Sequence, residues 1–287
     1  MSIVIDSQVH VWEAHRPDRP WLDEFIGQGI GSVHRDAPVS ASEMIAIMDA
    51  SGVDRAIIVP PSAVGDNNLT AIEAAIRYPT RLAVMGRFNP QVAGAPERLK
   101  TWLEQPGMLG IRLTFHKERW SEWLEDESLA WFWDACERLR IPVTAYMPKL
   151  LHKVPGIVEY RPGLTLILDH MARQSELRDD ECFADLDELL ALGRFQNLAI
   201  KVTAAPYHST HPYPFKNLTP YLRRIHQAFG PQRLMWGSDF TKLRCTYQEC
   251  LDHIRFGLDF LGEDDKRWIL GETARTLLQW PAPGLHR

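Results

Sequence analysis

The sequence has few cysteines and no long hydrophobic run. Its 287 residues include four cysteines, none of them in a CxxC pair, so we expect reduced thiols and neither a disulfide framework nor a zinc cluster. No stretch approaches 18 consecutive apolar residues, so no membrane span is expected. The opening MSIVIDSQVHVW lacks a basic segment, a long apolar segment and a small-residue cleavage site. These absences predict a cytoplasmic protein without a signal peptide.

An excess of positive charge is also missing. Lysine and arginine total 32 against 37 aspartates and glutamates, a formal net charge of −5. Nucleic acids and anionic membranes reward basic surfaces, so neither is an expected partner. The hydrophobic fraction of 45% is ordinary for a globular protein, and a chain of this length can bury a large core. The expected partner is a small molecule, and a homo-oligomer is left open.

What the sequence does contain is a regular series of short apolar runs, each bounded by turn residues. Such near-continuous runs are typical of strands buried on both faces. The eight runs are Ile3–Val9, Arg55–Pro60, Leu82–Phe88, Gly110–Phe115, Ile141–Met147, Leu164–Asp169, Leu198–Val202 and Leu234–Ser238. Helical patterns lie between most of them, and two more, Tyr247–Phe260 and Lys266–Leu278, follow the last. This alternation predicts an α/β protein, a single (β/α)8 TIM-barrel domain over residues 1–287.

An open, doubly wound sheet is the rival architecture. It often carries a glycine fingerprint directly after its first strand. The only glycine cluster here, Gly27, Gly29 and Gly31, follows no apolar run, so we interpret it as a loop. The barrel therefore remains the prediction.

Polar and ionisable residues stand at nearly every predicted strand end. Ionisable groups inside apolar strands cost several kcal/mol unless they are paired or functional. The carboxyl ends of all barrel strands meet at one rim, where barrel enzymes carry their active sites. The sequence therefore predicts one polar site from these residues: Gln8, His10, Ser62, Arg87, Arg112, His116, Tyr146, Asp169, His170, Lys201, Thr203, Ser238 and Asp239.

Six segments of the chain resemble amidohydrolase family 2, and they appear in the family's order between residues 3 and about 280. The opening Ile5–Trp12 resembles the family's first strand, which carries a His-x-His pair followed by an aromatic residue. The other matching segments are Gly110–Arg112, Asp169-His170, Asn197–Lys201, Trp236–Phe240 and Gly271–Leu277. The resemblance implies a distorted barrel of the amidohydrolase type, and it is greatest to the sugar-lactone and pyrone-dicarboxylate lactonases.

The metal ligands that this resemblance implies are incomplete here. Gln8 stands in place of the first histidine, Thr114 and Arg112 flank the place where a carboxylated lysine would be, and Tyr146 lies near the fifth-strand histidine position. Glutamine is a poor zinc ligand, and a nearby arginine opposes a divalent ion. The prediction is therefore a site without a cofactor. The alternative is one zinc or manganese ion on the remaining three candidates, His10, His170 and Asp239.

The resemblance and the strand-end positions together predict a hydrolase of a small acidic or sugar-derived lactone. Asp239 is the expected general base that activates water. His10 and His170 are expected to polarise the carbonyl oxygen. The substrate is expected to carry carboxylate or hydroxyl groups. The residues expected to bind it are Arg112, Arg87, Tyr146, Lys201 and Gln8.

Three alternatives stay open at this stage: a metal-dependent amidase or non-oxidative decarboxylase, a lactone isomerase, and a non-catalytic binding protein. The loop at residues 206–215, rich in aromatic and histidine residues, is either a lid over the site or a packed surface loop.

Overall fold

The chain forms one eight-stranded parallel sheet in which every strand pairs with its neighbours in sequence order. The computed structural model describes residues 2–26, 37–116, 118–124 and 128–280, so the glycine cluster at Gly27, Gly29 and Gly31 lies outside the described residues. The strands are β1 Ile5–Val9, β2 Arg55–Ile58, β3 Leu82–Arg87, β4 Met108–Thr114, β5 Val143–Tyr146, β6 Leu166–Leu168, β7 Leu198–Thr203 and β8 Leu234–Gly237. The predicted barrel class is confirmed.

Helices follow most strands and cover the outside of the sheet, burying its outward apolar side chains. They are α1 Ala41–Ser51, α2 Leu69–Arg77, α3 Ala95–Lys100, α4 Glu118–Ser121, α5 Ala130–Leu139, α6 Val154–Val158, α7 Asp179–Cys182, α8 Leu186–Ala191, α9 Thr219–Phe229, α10 Tyr247–Asp252, α11 Glu263–Arg267 and α12 Thr273–Leu277. Every residue of the eight strands is buried, which explains their near-continuous apolar sequences.

Local sequence signals explain where several helices begin and end. The Ser40 side chain accepts a hydrogen bond from the Glu43 backbone N–H at the start of α1, and Gly52 ends that helix at φ 66°. A reciprocal capping box between Thr246 and Glu249 opens α10. The two predicted C-terminal helices are interrupted, because π-helical turns occupy His253–Gly257 and Trp268–Glu272.

The barrel is nearly closed where β8 meets β1. The Asp239 backbone N–H donates to the Gln8 carbonyl at 2.9 Å. The Asp6 carboxylate accepts hydrogen bonds from the Ser238 backbone N–H at 2.8 Å and from its hydroxyl at 2.5 Å. Gly237 is required here, since a Cβ atom would lie 2.5 Å from Thr203 Cγ2. This junction fixes the ends of β1 and β8 side by side.

The sequence predicted neither a membrane span nor a disulfide framework, and the described residues bear on both predictions. No helix in the described ranges is long and apolar enough to cross a membrane. Cys136, Cys182, Cys245 and Cys250 are all free thiols, three of them buried.

Candidate active site

A cavity of about 480 Å³ opens at the carboxyl ends of the strands. Its walls bring together residues that are far apart in sequence, because the ends of all eight strands meet at this rim. The lining residues are Gln8, His10, Ser62, Arg87, Arg112, Thr114, Phe115, His116, Ser121, Tyr146, Pro148, Lys149, Leu150, His170, Gln174, Ser175, Glu176 and Lys242. Most of the residues predicted at strand ends therefore share one space.

Asp239 faces both predicted histidines. Its Oδ1 lies 2.9 Å from His10 Nε2, and its Oδ2 lies 3.8 Å from His170 Nε2. The carboxylate itself is completely buried, while the two imidazoles are nearly so. Asp239 has φ 46°, a left-handed conformation that is uncommon outside glycine. The hydrogen bond from its backbone N–H to Gln8 holds this conformation, and so aims the side chain at the histidines.

The far side of each imidazole is held by a fixed partner. His10 Nδ1 lies 2.6 Å from the Val59 carbonyl oxygen, and His170 Nδ1 lies 2.7 Å from Thr203 Oγ1. A carbonyl oxygen only accepts, so His10 Nδ1 carries a proton. In neutral His10, Nε2 is then a lone pair that faces a carboxylate. That contact needs a proton or a metal ion between the two atoms.

The backbone after β6 is also unusual. His170, Met171 and Ala172 have φ of 53–55°, three consecutive left-handed residues without a glycine. Such conformations cost of order 1–3 kcal/mol each and persist where the surroundings fix them. Here the His170 backbone N–H donates to Thr203 Oγ1 at 3.3 Å. The strained turn therefore brings His170 back over the cavity.

The charges around Asp239 set its protonation. Burial raises the pKa of Asp239, but Lys242 and His10 outweigh it and hold this pKa well below the usual range. Burial lowers the pKa of His170 to about 3, against the attraction of Asp239. Near neutral pH the site thus has an ionised carboxylate beside a neutral His170 imidazole.

Sequence reasoning missed Lys242. It lines the cavity, and its Nζ lies 3.5 Å from Asp239 Oδ2. The short turn Phe240–Lys242 brings it back toward Asp239, whose carbonyl accepts the Lys242 backbone N–H. The signal in the sequence was a lysine three residues after the strand-end aspartate.

Beneath the cavity floor lies a network of buried charges. Asp169 binds the Arg112 Nε through one carboxylate oxygen, and its other oxygen lies 3.1 Å from Lys201 Nζ. Lys201 also donates to Gln8 Oε1 at 2.9 Å. Burial raises the pKa of Asp169, but the positive charges of Arg112 and Lys201 lower it by more than burial raises it, so the net shift is downward. Burial also lowers the pKa of Lys201.

The five predicted substrate-binding residues fall into three groups. Arg87, Arg112 and Gln8 line the cavity. Lys201 is fully buried under Gln8 and is not among the lining residues, so its place at the site is indirect. Tyr146 lines the cavity, but its hydroxyl donates to the Arg173 carbonyl at 2.9 Å, and burial raises its pKa to about 12. That proton is already used within the protein.

The loop at residues 206–215 packs away from the cavity. None of these ten residues lines it. His208 is buried, with Nδ1 3.2 Å from Cys182 Sγ, and Phe215 is buried against His253. Of the two alternatives for this loop, the described contacts match the packed surface loop.

A solved structure of the same fold overturns the prediction of a site without a cofactor. An amidohydrolase from Burkholderia multivorans with bound zinc superposes with a TM-score of 0.81, at 21% identity, covering 98% of this chain and 100% of that one. The prediction was wrong because it counted the ligands that are missing. Catalytic zinc needs only three protein ligands and an open position, and His10, His170 and Asp239 remain.

The donor set of this chain fits such an ion. Two imidazole Nε2 atoms and an ionised carboxylate converge, and each ring is oriented through its Nδ1. Within the described residues, no group of three or more His, Cys, Asp or Glu side chains is already spaced around an ion. Binding one therefore requires His10 and Asp239 to give up their direct contact.

Curated relatives match most of the chain. An L-fucono-1,5-lactonase from Burkholderia ambifaria is 23% identical over 290 residues, covering 96% of this chain and 94% of that protein. A 4-sulfomuconolactone hydrolase from Rhizobium radiobacter is 25% identical over 213 residues, covering 71% of this chain and 66% of that protein. The model of the Amidohydrolase family, Amidohydro_2, matches residues 5–280, a range that contains all eight strands. The chain therefore belongs to the amidohydrolase family 2.

Proposed function

We propose that this protein is a lactonase, which hydrolyses a small acidic or sugar-derived lactone to the open-chain hydroxy acid. The observation that carries the proposal is the buried Asp239 carboxylate facing two imidazole Nε2 atoms beside a cavity with cationic walls. Relatives that align with 96% and 71% of the chain are named for the hydrolysis of a sugar lactone and of a sulfonated muconolactone.

In the proposed reaction, water attacks the lactone carbonyl carbon while Asp239 accepts a proton from it. The ring C–O bond then breaks, and the departing ring oxygen takes the proton back from Asp239. Lys242, with Nζ 3.5 Å from Asp239, keeps the carboxylate ionised between turnovers. Asp239 thus begins and ends each cycle as an anion, and the net reaction consumes one water.

His10 and His170 line the cavity, and each faces one carboxylate oxygen of Asp239. In this proposal they hold the carbonyl side of the lactone, and they form with Asp239 the ligand set for one zinc or manganese ion. Such an ion, when bound, supplies Lewis acidity toward the carbonyl and a lower pKa for the attacking water. The Val59 carbonyl and Thr203 hydroxyl keep both rings in the orientation that either role requires.

Arg87 and Arg112 are the proposed recognition groups for a substrate carboxylate or sulfonate. Both line the cavity, and a guanidinium binds such anions through paired hydrogen bonds. The Arg112 Nε is held by Asp169, which directs the rest of its guanidinium. The Arg87 backbone is clamped by Asn68, whose side chain accepts from the Arg87 N–H at 2.7 Å and donates to its carbonyl at 2.9 Å.

The test is a panel of lactones, neutral sugar lactones and anionic muconolactones, assayed on the wild type and on Asp239→Asn. We expect the variant to lose about 10²–10⁴-fold in kcat, which is the contribution of a positioned general base. Asp259→Asn is the matched control, because that carboxylate is 82% exposed and paired with Arg223 at the surface.

Metal is measured in the same samples. We expect activity to fall after chelation and to return with zinc or manganese at about one ion per chain. Wild-type-like turnover by Asp239→Asn would refute the proposed role of Asp239, and inactivity of the metal-loaded wild type on every lactone would refute the lactonase assignment.

A further inference from the structure

Gln8 is a buried amide with one satisfied end and one unsatisfied end. Its Oε1 accepts a hydrogen bond from Lys201 Nζ at 2.9 Å. Its Nε2 has no hydrogen-bond partner among the described residues, although the side chain is completely buried. A buried donor left unpaired costs about 1–3 kcal/mol. Because Gln8 also lines the cavity, the missing acceptor is one that the cavity contents can provide.

The orientation of this amide is fixed by charge. Lysine has three donors and no acceptor, so the amide oxygen must face Lys201 and the amide nitrogen must face away from it. Lys201 is itself held 3.1 Å from Asp169, whose other carboxylate oxygen binds Arg112. A flipped amide would place two donors against each other inside a buried network. The chain Arg112–Asp169–Lys201 therefore orients the Gln8 side chain before any ligand arrives.

The Gln8 backbone is equally fixed, and it is tied to the proposed base. The Gln8 N–H donates to Asp6 Oδ1 at 3.0 Å, and the Gln8 carbonyl accepts from the Asp239 N–H at 2.9 Å. The oriented donor and the Asp239 carboxylate thus project from directly hydrogen-bonded residues of β1 and the β8 end. Gln8 lines the same cavity as the two histidines that face Asp239, so a substrate carbonyl held by those histidines shares this cavity with the Gln8 amide.

We propose that Gln8 Nε2 donates a hydrogen bond to the lactone carbonyl oxygen as negative charge develops on it, and that Lys201 is the positioning residue that holds the amide in this orientation. The inference rests on the proposed lactonase function and adds an oxyanion donor to it. It also explains why Lys201, which does not line the cavity, is buried at this place in the barrel. A donor that is already oriented stabilises the transition state without reorganisation.

The experiment compares Gln8→Glu and Gln8→Met with the wild type on a lactone that the wild type hydrolyses. Both variants lose the donor, while Gln8→Glu keeps an acceptor for Lys201, so one of them remains informative if the other fails to fold. We expect kcat to fall about 10²–10³-fold in both, with KM changed by less than about threefold, as for loss of one oxyanion donor. Gln91→Met is the control, because the Gln91 amide binds Ser128 at the surface.

Lys201→Met tests the positioning role. We expect a smaller fall in kcat than in the Gln8 variants, and no further fall when Lys201→Met is added to Gln8→Met, since the amide it orients is gone. If Lys201 were only structural, the losses in kcat from Lys201→Met and Gln8→Met would instead add, and they would follow the fall in melting temperature. Metal content per chain is matched across all samples.

The outcomes separate the two proposals. An active wild type whose Gln8 variants keep kcat within about threefold, or in which only KM rises, overturns the role of Gln8 and leaves the lactonase assignment intact. A metal-loaded wild type that hydrolyses no lactone overturns the lactonase assignment and, with it, this inference.

Discussion

Replacing Asp169 with asparagine should destabilise the protein more than removing the lysine it pairs with. Asp169 and Lys201 are both fully buried, and Arg112 is 6% exposed, so water does not compensate the loss of a charge. Asp169→Asn leaves two buried cations without the carboxylate that binds both. Removing one partner of a buried pair costs about 3–5 kcal/mol. Lys201→Met should cost about 1–3 kcal/mol, because Asp169 keeps Arg112.

These free energies of unfolding are measurable by urea denaturation followed by circular dichroism at pH 7. For a chain of this size, each kcal/mol shifts the melting temperature by about 2–4 °C, so Asp169→Asn should lower it by about 6–20 °C. The double variant Asp169→Asn/Lys201→Met should be more stable than Asp169→Asn alone, since it removes one of the two surplus cations. A larger cost for Lys201→Met than for Asp169→Asn, or a double variant with simply summed losses, would refute this account of the network.

Two further predictions concern recognition and pH. Arg87→Met should raise KM for an anionic lactone about 10–100-fold and leave a neutral lactone within about threefold, because a charge-assisted hydrogen bond contributes about 1.5–3 kcal/mol; equal effects on both substrates would contradict it. Burial raises the pKa of Asp6 from 3.8 to about 6, against the opposing hydrogen bonds from Ser238, Gln8 and Tyr247. The folded protein then holds this proton more tightly than the unfolded chain, so the stabilisation is fully present below about pH 4 and is lost as pH rises through about 6. Between about pH 4 and pH 7 the unfolding free energy of the wild type should therefore fall by about 3 kcal/mol through Asp6, and Asp6→Asn should not show this fall. Parallel pH profiles of unfolding free energy for the two proteins would contradict the prediction.

The barrel could be predicted from sequence because its strands are buried on both faces and so read as apolar runs. The ends of these strands were harder to place. The predicted sixth strand extended to Asp169, but it ends at Leu168, and the chain then turns through left-handed residues from His170. The eighth strand ends at Gly237, just before left-handed Asp239. Both shortenings occur where the backbone is bent to aim a side chain, and residue type alone does not encode such a bend.

The site was predictable to the extent that strand position determines it. His10, Arg87, Arg112 and His170 line one cavity because parallel strands bring their carboxyl ends together. Strand position does not say how a side chain at the rim is already bonded. The Tyr146 hydroxyl is taken up by a backbone carbonyl, which a list of residue types at strand ends could not reveal.

The prediction about the metal ion failed for a related reason, because it used residue types without their hydrogen bonds. Counting residue types at the expected positions found one histidine replaced by Gln8 and favoured a site without a cofactor. The hydrogen bonds show what this count left out: the Val59 carbonyl fixes a proton on His10 Nδ1, and His10 Nε2 then faces the ionised Asp239 at 2.9 Å, where a metal ion can take the place of a shared proton. Two acceptors do not approach in this way without a proton or a metal ion between them. The glutamine at position 8 therefore removes one ligand but leaves His10, His170 and Asp239 in place, and its amide, held by Lys201, keeps an unpaired donor.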